Sequence, residues 1–123
     1  MAGKSVLVVD DSITVRQQVK LALSQAGFSV AEACDGQEGA EMIEKRSDLG
    51  LVICDVNMPR MNGLEMLERV NGRKANPELP IIMLTTEGQP ALIQRAKDAG
   101  AKGWMVKPFK AELLVAAARK LVA

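Results

Sequence analysis

Five short apolar runs punctuate the chain: Val6-Leu7-Val8-Val9, Phe28 to Ala33, Leu51-Val52-Ile53-Cys54, Ile81-Ile82-Met83-Leu84 and Trp104-Met105-Val106. The first, third and fourth are continuous, the pattern of strands covered on both faces as in a parallel sheet. The stretches between them repeat with helical spacing. Val15, Val19, Ala22, Leu23 and Ala26 fall at i, i+4, i+7, i+8 and i+11, and Gly27 can supply the left-handed stop. A second helix is predicted to start near Asp35, with Glu38 three residues on as its capping-box partner, and a third near Asn62, with Glu65 placed the same way. Pro90 suits the first turn of a fourth helix that carries Leu92, Ala96 and Ala99 and ends at Gly100. Leu113, Leu114, Ala117, Ala118 and Leu121 line one stripe of the last.

The order is therefore strand then helix, five times over, without an internal repeat, low-complexity segment or linker. Right-handed crossovers force helices onto both faces of a parallel sheet, an α/β doubly wound arrangement. The 123 residues suit one domain, 1–123. In open sheets of this kind ligands bind beyond the carboxyl ends of the strands.

Composition removes several alternatives. With 48% hydrophobic and 25% charged residues the chain is neither disordered nor fibrous. No apolar run approaches the roughly 20 residues of a membrane span, and no signal-peptide pattern follows Met1, so a cytoplasmic location and no membrane insertion are expected. There is no histidine. Ser-His and Cys-His catalytic pairs are thereby excluded, and any phosphohistidine must come from another molecule. Cys34 and Cys54 lack Cys-x-x-Cys spacing and are expected to be small core or near-core residues. A net charge of +1 argues against nucleic acid as the main partner. That total conceals a net −4 over residues 1–87 and +5 over residues 88–123, which is either a solvated basic face or a docking surface for an acidic partner.

The residues just past the runs carry the chemistry. Asp10-Asp11 follows the first, Asp55 the third, Thr85-Thr86 the fourth and Lys107-Pro108 the fifth. Each alone has an ordinary explanation: an Asp beyond a strand is commonly a loop residue or a cap, and Asp11-Ser12 suits the start of the first helix. Together they put three carboxylates, a hydroxyl and an ammonium at one end of the sheet. Carboxylates so close stay ionised only against a cation or hydrogen-bond donors. Magnesium takes such oxygen ligands together with phosphate oxygens, and the donor set disfavours a softer transition metal. A carboxylate can also act as a nucleophile and form an acyl phosphate. Phosphoryl transfer needs mainly positioning and charge neutralisation, which the metal and Lys107 would provide while the Thr85 hydroxyl binds a phosphoryl oxygen.

The segments "VLVVDDS", "ICDVNMPRMNG", "IIMLTTE" and "KGWMVKPF", in this order and spacing, resemble the receiver domain of two-component response regulators, and the resemblance covers the whole chain. It implies a flavodoxin-like (βα)5 fold with strand order 2-1-3-4-5. It implies Asp55 as phosphoacceptor for a histidine kinase. Asp10, Asp11, Asp55 and the backbone carbonyl of Asn57 would hold Mg2+. Thr85 and Lys107 would contact the phosphoryl group, and a cis peptide would join Lys107 and Pro108. Asn57 and Glu87 stand at the positions that tune phosphoryl lifetime, and their polar pair is similar to that of fast-decaying chemotaxis receivers. Trp104 stands where the family usually has a switching Tyr or Phe; lacking a hydroxyl, it is either a switch of altered chemistry or a fixed packing residue. The family's output face would include Arg95, Lys97, Lys102, Lys110, Arg119 and Lys120, fitting an acidic or amphipathic peptide or protein such as the flagellar motor switch. A monomer is the default.

No output domain is expected beside the receiver, and in this the chain resembles single-domain chemotaxis receivers. A phosphorelay shuttle or a phosphate sink outside chemotaxis is the alternative role. An aspartyl-phosphate phosphohydrolase would want Asp-x-Asp at the nucleophile, but Asp55-Val56-Asn57 puts an amide where the proton shuttle belongs. The chain is thus expected not to be an enzyme beyond assisting its own phosphorylation and dephosphorylation. A flavin or nucleotide binder would want a glycine- or hydroxyl-rich phosphate loop after the first strand, where this chain has Asp10-Asp11.

Overall fold

Runs that are apolar on both faces belong in the middle of a sheet, because only there are both faces covered. In the computed structural model, which describes residues 5–73, 79–86 and 88–122 (side chains of 72 and 73 excepted), three strands are buried at every residue. They are β1 (Ser5–Val9), β3 (Leu49–Cys54) and β4 (Ile81–Thr85). The partly exposed β2 (Ser29–Ala33) and β5 (Gly103–Val106) form the edges of a five-stranded sheet of order β2-β1-β3-β4-β5. All its pairings are parallel. The strand order is the one expected from the sequence. β3 starts two residues before the apolar run because Leu49 already pairs with Ser5, just ahead of a register shift on β1.

Alternate residues of each central strand point to opposite faces, and each face has its own core. Val6, Val8, Leu51, Ile53, Ile82 and Leu84 pack with Val19 and Leu23 of α1 (Ile13–Gln25) and Leu114 and Ala118 of α5 (Ala111–Leu121). Leu7, Val9, Val52, Cys54, Ile81 and Met83 pack against α2 (Gly36–Lys45), α3 (Gly63–Arg73) and α4 (Pro90–Asp98), through residues such as Ile43, Leu67 and Ala96. Fully burying one such aliphatic side chain contributes about 1.5–3 kcal/mol, so the two layers dominate stability. No helix among the described residues is long and apolar enough to cross a membrane.

Local signals terminate the helices where the sequence places them. The Ser12 hydroxyl accepts the Val15 N–H at 3.3 Å. Gly27 and Gly100 take left-handed φ of 96° and 100° after α1 and α4. Asn62 and Glu65 form a reciprocal capping box on α3, both bonds 2.9 Å. At α2 the box is shifted. Asp35 accepts the Glu38 N–H, but Glu38 reaches back to the N–H of Cys34 and not to that of Asp35. Cys34 also corrects an expectation. It is exposed, because it follows the last buried residue of edge strand β2, and only Cys54 is a core thiol. Burial pushes the Cys54 thiol far above its ordinary range, which keeps it protonated.

The turn from β3 into α3 is the tightest spot under the carboxyl ends. The Gly63 N–H donates to the Val56 carbonyl at 2.9 Å, and a Cβ at Gly63 would overlap the Asp55 carbonyl oxygen. Gly63→Ala is expected to destabilise the protein by about 1–3 kcal/mol, as overpacking against backbone does. A urea midpoint equal to the parent's would contradict that close approach.

Candidate functional site

β1 and β3 are neighbours, so the residues that follow them emerge side by side. Asp10 is 2% exposed and Asp55 8%. The Asp55 N–H donates to the Val9 carbonyl at 2.9 Å, which locks the two strand ends together. Asp10 Oδ1 accepts the Ser12 N–H at 2.9 Å, and its backbone carbonyl accepts from Arg16 Nη1 at 2.5 Å. Asp55 Oδ1 accepts the Val56 N–H at 2.7 Å. Asp11 is exposed. One oxygen from each of Asp10, Asp11 and Asp55 lies within 4.8 Å of the others.

β5 brings the compensating charge. Lys107 Nζ lies 2.8 Å from Asp10 Oδ2 and 3.2 Å from Asp55 Oδ2. Its N–H donates to the Thr85 carbonyl at 2.8 Å, which ties the ends of β4 and β5, and the Lys107–Pro108 peptide is cis. Thr85, fully buried, closes the row of strand ends. Asn57 is exposed two residues beyond Asp55. Glu87 lies outside the described residues.

The electrostatics are unbalanced. Burial pushes the Asp10 carboxyl up, and the nearby Asp55 charge adds to this, against the opposing bonds from Lys107 and Ser12. Burial alone would lower Lys107, but its bonds and charge attraction to Asp10 and Asp55 outweigh it and the net shift is upward. One ammonium thus faces three carboxylates. Like charges 4.8 Å apart repel by roughly 3 kcal/mol at an effective dielectric near 20. A clustered, oxygen-only donor set with excess negative charge fits a hard divalent cation such as Mg2+.

The remaining sequence-derived residues lie apart from this cluster. Trp104 is half-buried on β5 opposite Met83, beside a cavity of about 60 Å³ lined by Ile93, Ala96, Lys97, Ala101 and Lys102. Lys97, Lys102, Lys110, Arg119 and Lys120 are exposed on α4, on its connection to β5, at the N-cap of α5 and on α5 itself. Arg95 forks onto Glu68 of α3 at 2.8 and 2.9 Å, so it is held toward α3.

Sequence reasoning missed two features. Arg16, 14% exposed, bonds the Asp10 carbonyl and pairs with Glu32 of β2 at 3.1 Å. Its only signal was a cation one turn into the helix after Asp10-Asp11. An apolar groove of about 620 Å³ between α1 and the β5–α5 turn is lined by Val15, Leu21, Pro108 and Phe109 and shares Lys107 with the carboxylate cluster. The exposed Leu21, off the buried stripe of α1, was its visible trace.

Comparison with known proteins agrees with this geometry. The response regulator receiver domain model matches residues 6–119. The chemotaxis protein CheY homolog of Campylobacter jejuni is 43% identical over 109 residues, 88% of this chain and 84% of that protein. CheY of Thermotoga maritima is 37% identical over 120 residues, 97% and 98% of the two chains. The structure of CheY4 from Vibrio cholerae, 42% identical, superposes with a TM-score of 0.89 and covers 98% of this chain and 99% of that one. The chain, with its (βα)5 sheet and carboxylates at the ends of β1 and β3, belongs to the response regulator receiver domain family and is CheY-like.

Proposed function

We propose that the protein is a signalling switch that takes a phosphoryl group onto Asp55 from a histidine kinase, with Mg2+. The observation that carries this reading is the Asp55 carboxylate fixed beside Lys107 and two further carboxylates. Asp10, Asp11, Asp55 and the Asn57 carbonyl would hold the cation, whose contribution when bound is to neutralise charge on the phosphoryl oxygens. In the transfer, an Asp55 oxygen forms a bond to phosphorus while the bond from phosphorus to the donor nitrogen breaks. The electron pair leaves with the donor imidazole. The Val56 N–H orients the Asp55 carboxylate, Lys107 balances the charge that builds up, and Thr85 offers its hydroxyl to the incoming group. Asn57 and Glu87 would set how long the acyl phosphate lasts. The groove beside Lys107 gives the donor protein an apolar ledge next to the reacting atoms.

Chemotaxis is the pathway favoured by the names of the relatives. The exposed cations of α4, its connection to β5 and α5 suit an acidic or amphipathic target such as a flagellar motor switch component, and their effect would fall mainly on encounter rate and salt dependence. Arg95, already paired with Glu68, contributes least to that surface. A phosphorelay shuttle or a phosphate sink would use the same acceptor chemistry with another partner. Ester hydrolysis remains disfavoured, since Asn57 cannot shuttle a proton. The protein is read as a cytoplasmic monomer.

Incubation with a small-molecule acyl phosphate and Mg2+ should add one phosphoryl group to the intact mass. The adduct should be absent from Asp55→Asn and from reactions without Mg2+. An equal adduct on Asp55→Asn would move the acceptor elsewhere.

Trp104 is the single tryptophan, and its emission should change on Mg2+ addition or phosphorylation if it is the switching residue. A spectrum indifferent to both would make it a fixed packing residue.

A further inference from the structure

The loop after Asp55 carries Asn57, and it is bound down onto the start of α2. The Gly36 N–H donates to the Met61 carbonyl at 2.9 Å, an approach that needs glycine because a Cβ there would overlap that oxygen. Asp35, 4% exposed, accepts from the Cys34 thiol at 3.7 Å and otherwise divides its carboxylate between two tasks. Oδ1 caps α2 through the Glu38 N–H at 2.9 Å, and Oδ2 takes Nε and Nη2 of Arg60, each at 2.7 Å.

Arg60 is also conformationally unusual. Among the described residues it is the one non-glycine with positive φ, 65°. The Met61 N–H bonds the Pro59 carbonyl at 2.8 Å across it, closing a three-residue turn about a left-handed centre, the rare and strained kind of γ-turn. Glycine would adopt this turn without a steric penalty. The backbone alone therefore gives no reason for arginine. What arginine adds is the fork onto Asp35, which holds the loop in a conformation that the chain would otherwise relax. Strain held by surrounding contacts next to a reactive group points to a positioning device.

We propose that Arg60 and Asp35 form a strap that sets the backbone of the Asp55-to-Gly63 loop, and through it the Asn57 carbonyl, for divalent cation binding. This inference rests on the reading of the site given above. Both residues are positioning residues, because neither belongs to the carboxylate cluster.

Calorimetric titration of Mg2+ into the full chain, alongside urea denaturation, tests it. Arg60→Gly tolerates the left-handed turn and removes the fork. It should weaken Mg2+ binding about three- to tenfold, less than the 10–100-fold typical of partners bonded directly to a metal ligand. Its urea midpoint should hold or rise as strain is released. Arg60→Lys should recover part of the affinity. Asp35→Asn keeps a good N-cap acceptor and should weaken Mg2+ binding to a similar degree, with the double variant no worse than either single. Parent-like affinity in Arg60→Gly would overturn the strap, and so would additive losses in the double variant. If the unsubstituted protein itself bound no Mg2+, the reading of the site would fail and the strap with it.

Discussion

One ammonium is shared by two buried carboxylates, and the carboxyl end of the sheet is organised around that contact. Lys107 Nζ reaches Asp10 and Asp55 at 2.8 and 3.2 Å, joining the end of β5 to those of β1 and β3 although β5 pairs only with β4. Its backbone N–H completes the row by bonding the Thr85 carbonyl. Two acids at neighbouring strand ends would repel and drift apart without it, and removing one partner of such a buried group leaves an uncompensated charge. The chain leaves β1 toward β2 on one side and returns to β3 on the other, so Asp10 and Asp55 flank the point where the strand order reverses. The topology brings the acids together, and the lysine makes their proximity tolerable.

The compensation is incomplete. Arg16 adds a donor to the Asp10 backbone carbonyl but is itself paired with Glu32, so it stiffens the β1–α1 turn without neutralising the cluster. Asp11 stays exposed and adds negative charge at the mouth. A cluster of three carboxylates against one ammonium has reason to bind a cation, whereas a balanced one would be an inert structural network.

What was legible in the sequence was what periodicity and chain order carry. Three continuous apolar runs marked the central strands, and Asn62 with Glu65 marked the start of α3. Asp10, Asp11, Asp55 and Lys107 were visible as residues just past strands, and the fold brings them together by its topology. Contacts that depend on where a long side chain turns were not legible. Arg95 could be placed on α4 but not aimed, and Glu68 draws it toward α3. Cys34, expected to be a core or near-core residue, is exposed because burial changes within one residue at the end of an edge strand, from buried Ala33 to exposed Cys34. The left-handed Arg60 gave no signal, since no residue type that favours positive φ stands there.

The position of Lys107 also limits how a change at Asp55 can travel. A phosphoryl group on Asp55 would bring about two negative charges and three strong acceptor oxygens within reach of the ammonium. It would compete with Asp10 for the same protons, in a place where no further lysine among the described residues joins the cluster. Any movement of Lys107 toward it is transmitted first to the backbone already tied to Thr85, and then along β5, whose partners on β4 place Trp104 against Met83. Beside Trp104 lies unfilled space, and beyond it are the cations of α4 and its connection to β5. A tightly packed core resists continuous deformation. The softest continuation of a shift at Lys107 is therefore the half-buried edge strand, three residues from the lysine, where a tryptophan borders a cavity and a basic surface begins.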